Sequence, residues 1–96
     1  MTGEEETQPM EPRLQEVLIF NDDVTSMEFV VNLLEELFGK SRDEAIRIML
    51  AVHQEGHASC GAYVLDKAHE LVAAGAARAG QAGFPLRLDV VGPKGS

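Results

Sequence analysis

Ninety-six residues suffice for one small domain with its own core, and no apolar run approaches the roughly 20 residues that cross a bilayer. Sixteen acidic against eight basic side chains leave a net charge of -8, which repels phosphate backbones and argues against general nucleic-acid binding. A lone cysteine, Cys60, excludes an internal disulfide and fits a reducing, cytoplasmic setting.

Residues 1–16 read as a solvated acidic extension, because Glu4, Glu5, Glu6, Glu11 and Glu16 face only Arg13. The segment has the pattern of neither a secretory signal nor a basic transit peptide. Residues 17–20 form a short apolar strand that runs directly into Asn21, Asp22 and Asp23, so these acceptor side chains are held at a strand end. Thr25 and Glu28 have capping-box spacing. The Thr25 hydroxyl is expected to accept from the first helical turn while Glu28 reaches back to the Thr25 amide. The helix over residues 27–38 carries Val30, Leu33, Leu34, Leu37 and Phe38 at helical spacing, and Gly39 is placed to end it in a left-handed cap.

Ser41 and Glu44 repeat the capping-box spacing and open a second helix that runs to about residue 53 and ends near Gly56. It has two apolar rows, Ala45, Ile48 and Val52 on one side and Ile46, Met49, Leu50 and His53 on the other, which predicts packing on both sides. His53 lies one turn beyond Met49, so an imidazole and a thioether share one surface. Residues 60–64 form a short strand flanked by Gly56 and Gly61. Asp66 is the expected N-cap of an alanine-rich helix over residues 67–79, broken by Gly80, Gly83 and Pro85. Residues 86–91 alternate as a half-buried strand with Leu86, Leu88 and Val90 inward, and residues 92–96 read as a frayed end. Strand, helix, helix, strand, helix, strand predicts a small sheet covered on one face by helices, in a single domain over residues 17–91.

For chemistry, a rigid rim of acceptors beside apolar side chains suits a cationic, partly apolar ligand. Asn and Asp are also ordinary turn residues, and an anion near a helix N-terminus is favoured without any ligand. His53, His57 and Cys60 cross a helix end and lack the His-Glu-x-x-His spacing, so no metal is expected. Cys60 has no base and orienter beside it in the sequence, and no glycine-rich phosphate loop is present. No enzyme and no cofactor are expected.

The run Asn21, Asp22, Asp23, Val24, Thr25, Ser26, Met27, followed by Met49 to His53, Gly56, Cys60, Gly61, Pro85 and Leu86, resembles the ClpS family of protease adaptors. The resemblance implies an α+β domain of order β-α-α-β-α-β, with a three-stranded antiparallel sheet covered by three helices, similar to the C-terminal domain of the ribosomal stalk protein. It implies a non-enzymatic adaptor that binds N-degrons beginning with Leu, Phe, Tyr or Trp and delivers them to a Clp AAA+ unfoldase of the ClpA or ClpC type. Carried over by this resemblance, Asn21, Asp22 and His53 bind the substrate α-amine. Thr25, Met27, Val30, Met49, Val52 and Leu86 line the side-chain pocket, with Met27 as a gate against β-branched residues. Asp66, Lys67 and Glu70 would face the unfoldase, and the acidic extension would engage it during delivery. Ser26 stands where the family usually has proline, Val24 where some members carry an aromatic residue, and Leu71 where well-known members have lysine. The rival readings are a stalk-like scaffold module and a small enzyme or metal protein using His53, His57 or Cys60.

Overall fold

The computed structural model describes residues 13–93, so the expected acidic extension through residue 12 and the expected frayed end from residue 94 lie outside the described residues. Its elements are β1 (Gln15–Phe20), α1 (Met27–Glu36), α2 (Arg42–Glu55), β2 (His57–Tyr63), α3 (Leu65–Ala82) and β3 (Arg87–Pro93). The sheet has the order β2-β1-β3 with both pairings antiparallel, so the first strand is central. This is the α+β order that the resemblance implies. Along β1 the period of two sends Val17 and Ile19 into the core, where they meet the apolar faces of the three helices. No helix among the described residues is long and apolar enough to cross a membrane.

The helix boundaries follow from local hydrogen bonding. Ser26, not Thr25, caps α1, and its side chain accepts from the Phe29 amide at 3.1 Å. Thr25 is unavailable because its own amide and hydroxyl both donate to Asp22, and the expected box with Glu28 therefore does not form. Gly39 adopts a φ of +67° beyond the last turn, and the Lys40 amide returns to the Leu34 carbonyl at 3.1 Å. At α2 the expected Ser41 cap is present, accepting from the Glu44 amide at 3.1 Å, while the Glu44 carboxylate pairs with Arg47. Gly56 closes α2 at a φ of +93°, where a side chain would be strained.

Only one of the two rows on α2 is a core row. Ala45, Ile48 and Val52 are buried, whereas Ile46 and Met49 are half-buried at the core margin and Leu50 is 43% exposed beside an exposed His53. Packing on both sides, as the pattern predicts, is thus not what the helix does. Its second row opens toward solvent.

α3 begins at Leu65 after Val64, which offers no side-chain cap, so Asp66 sits inside the first turn and acts there through the helix dipole. The helix also runs through Gly80 and stops at Gly83, whose φ is +80°. The Gly83 amide bonds the Gly80 carbonyl at 3.1 Å and the Phe84 amide bonds that of Ala79 at 2.9 Å, the paired closure of a glycine-ended helix. An interior glycine costs only about 1 kcal/mol, too little to end a helix whose Leu71, Gly75 and Ala79 are buried. β2 begins at His57, three residues before the predicted strand. Val17 pairs with Gly61 and Leu18 with Ser59, so Cys60 is an additional residue that bulges the strand and breaks the alternation of sequence.

Candidate functional site

The turn from β1 into α1 is built around one carboxylate. Asp22 Oδ1 accepts from the amides of Val24 at 2.8 Å and Thr25 at 2.7 Å, and Oδ2 accepts from the Thr25 hydroxyl at 2.7 Å. Burial by itself pushes this carboxyl up, but the Thr25 amide and hydroxyl and the Val24 amide together outweigh it and hold the pKa below the ordinary 3.8. Asp22 is therefore an anion at neutral pH. A carboxylate has about four lone-pair positions, and with three occupied one remains on Oδ2. The side-chain hydrogen bonds that hold this turn are all made to Asp22.

Asn21 connects this turn to the second helix. Its backbone amide donates to the Gly56 carbonyl at 2.9 Å, and Gly56 in turn donates to the Val52 carbonyl at 2.9 Å. The end of β1 is thereby fixed against the last turn of α2, which carries His53. Sequence reading does not reveal this bond, because it is made by backbone atoms at positions 21 and 56; the only signal is a glycine at a helix end.

Apolar side chains flank the turn. Val30 on α1, Val52 on α2 and Leu86 before β3 are buried in one continuous core, while Met49 is half-buried against it. Met27, the first residue of α1, is 49% exposed, and Val24 is also exposed. These candidate residues thus differ in exposure: Val30, Val52 and Leu86 are buried, Met49 is half-buried, and Met27 is exposed beyond the turn. The Thr25 hydroxyl is engaged within the turn, donating to Asp22.

The remaining chemistry-bearing residues are dispersed. His57 pairs with Phe20 across the strands, with ring centroids 6.1 Å apart, and the Arg87 guanidinium lies 4.6 Å from the Phe20 ring centre. Cys60 is fully buried, and burial pushes its thiol up to about 12 despite the opposing charge of Lys40. Folded protein at pH 7.5 is therefore expected to resist iodoacetamide while urea-unfolded protein is alkylated, as mass spectrometry would read; rapid labelling of the folded chain would contradict this burial. Among the described residues, no group of three His, Cys, Asp or Glu side chains is arranged to hold a metal ion. Asp66, Lys67 and Glu70 are exposed at the start of α3, with Lys67 and Glu70 paired at 3.4 Å. Leu71 is only 4% exposed and belongs to the core, so it offers nothing to a surface partner.

The chain matches the family model described as ATP-dependent Clp protease adaptor protein ClpS over residues 10–89. It is 51% identical over 82 residues to an ATP-dependent Clp protease adapter protein ClpS of Nitratidesulfovibrio vulgaris, covering 85% of this chain and 82% of the relative. It is 46% identical over 84 residues to the protein of that description from Deinococcus radiodurans, covering 88% of this chain and 74% of the relative. Among solved structures, Agrobacterium tumefaciens ClpS2 bound to L-phenylalaninamide superimposes with a TM-score of 0.81 at 32% identity, covering 88% of this chain and 100% of that one.

Proposed function

The chain belongs to the ClpS family of ATP-dependent Clp protease adaptor proteins, and from this premise we propose that it binds proteins by a bulky hydrophobic N-terminal residue and hands them to a Clp protease. Such an adaptor works by binding and transfer. The observation that supports this reading is the Asn21 amide to Gly56 carbonyl bond, which ties the strand end bearing Asn21 and Asp22 to the end of α2, the helix that carries His53. The ligand of the Agrobacterium relative, L-phenylalaninamide, is the smallest mimic of an N-terminal phenylalanine: a free α-amine, an apolar side chain and an uncharged carbonyl end.

A free α-amine has a pKa of about 7.7 to 8, so near neutrality it is mostly an ammonium with three donors. The Asn21 amide oxygen, the Asp22 carboxylate and the His53 imidazole are fitting acceptors. An acetylated or internal residue leaves them short of donors, at about 1 to 3 kcal/mol for each group kept from water. Met27, Met49, Val30, Val52 and Leu86 receive the side chain, with Met27 at the mouth. Burial of a Leu or Phe side chain contributes about 1.5 to 3 kcal/mol, enough with the amine contacts for micromolar recognition after association costs. The partner is a Clp AAA+ unfoldase of the ClpA or ClpC type, docked through the exposed face of α3 at Asp66, Lys67 and Glu70.

Fluorescence anisotropy with labelled peptides tests the reading. Peptides beginning with Phe or Leu should bind in the micromolar range and acetylated Phe at least about tenfold more weakly. Equal affinity for free and acetylated Phe would overturn it.

A further inference from the structure

The Thr25 hydroxyl is engaged inside the turn. It stands 2.7 Å from Asp22 Oδ2, and a carboxylate only accepts, so the hydroxyl proton is committed to Asp22. The Thr25 amide, also at 2.7 Å, and the Val24 amide at 2.8 Å hold the other oxygen. An aspartate torsion is otherwise broad and roughly twofold, and amides bonding one oxygen leave the other free to swing within the turn. The hydroxyl removes that freedom.

We infer that Thr25 is a positioning residue for amine recognition: its hydroxyl fixes the Asp22 carboxylate so that one lone pair of Oδ2 faces an incoming ammonium. The inference rests on the proposed function and deepens it. Two consequences follow from the bond polarity. Ordering of the carboxylate is complete before the ligand arrives, which lowers the entropy lost on binding. The Thr25 oxygen, whose proton is directed at Asp22, has only lone pairs left to offer and so adds to the acceptor character of the rim.

Thr25→Val keeps the side-chain shape and removes the hydroxyl, whereas Thr25→Ser keeps the hydroxyl and removes a methyl group. The readout is the ratio of affinities for free and acetylated Phe peptides, from which the folded fraction of each variant cancels. The ratio should fall about tenfold in Thr25→Val and return to within about threefold of the parent in Thr25→Ser. If Thr25→Val keeps the parent ratio, or if Thr25→Ser falls as far as Thr25→Val, Thr25 is a wall and the positioning role is wrong. A parent chain that does not prefer the free amine removes the site reading itself, so the two failures are distinguishable.

Discussion

Replacing Asp22 by alanine is expected to weaken binding of a peptide with a free N-terminal Phe by about a hundredfold, equivalent to about 2.7 kcal/mol. Two losses combine in this variant. The charge-assisted hydrogen bond to the ammonium disappears, a contact worth about 1.5 to 3 kcal/mol. The amides of Val24 and Thr25 also lose their acceptor, so the turn that carries the rim loosens. Asp22→Asn separates these effects: its amide oxygen can still receive both backbone amides, but the charge is gone. A decrease of about tenfold is expected, intermediate between parent and alanine variant. Binding of the acetylated peptide should change little in either. Calorimetric titration of the variants decides the matter, and parent-like affinity in Asp22→Ala would remove Asp22 from the site. The acid side has a defined sign as well. Because the folded pKa is depressed, the stabilisation from ionised Asp22 is in force above the unfolded value of about 3.8 and fades as pH falls below it, through the folded value.

Leu34→Ala should destabilise the fold by about 3 kcal/mol, within the roughly 2 to 5 kcal/mol observed for emptied leucine sites. Leu34 has no solvent exposure and lies on the face of α1 that joins the common core. A domain of this size loses roughly 4 to 8 °C of Tm per kcal/mol, so a fall of about 12 to 24 °C is expected. Leu50→Ala provides the contrast. Its side chain is 43% exposed on the open row of α2, and its removal should cost less than about 1 kcal/mol. Urea denaturation with a common slope would measure both, and equal losses would contradict the assignment of the core row. The difference also bears on the proposed recognition, since α1 holds Met27 and Val30 only while its inner face is anchored.

Much of this architecture was legible in residue patterns, and the failures have identifiable causes. Period two in β1, the Ser41 cap and the glycine after α2 are strong local signals with no nearby competitor, and the structure follows them. The start of α1 is different. Thr25 and Ser26 both carry hydroxyls, and the choice between them is made by Asp22, which bonds Thr25 and leaves Ser26 to cap. Spacing alone does not see that competition. β2 begins with His57, Ala58 and Ser59, which have no apolar alternation, and its bulge at Cys60 then shifts the phase. At α3, Gly80 resembles a stop, but the helix is retained by its packed face and ends at the next glycine. The candidate site was readable as two motifs. The backbone bond that unites them, and the private bond between Asp22 and Thr25, were not, because both depend on the folded path of the turn.

The bulge in β2 has a further consequence for how copies of the chain meet one another. With β1 central, β2 and β3 are the edge strands, and a regular edge is a template on which a neighbouring molecule can add a strand. Both edges are irregular. Cys60 interrupts β2, and in β3 the pairing passes from Val91 opposite Glu16 to Pro93 opposite Gln15, leaving Gly92 additional and ending on a residue with no backbone donor. These interruptions twist the edges out of register for continuous intermolecular pairing. They work against uncontrolled edge-to-edge assembly of the chain.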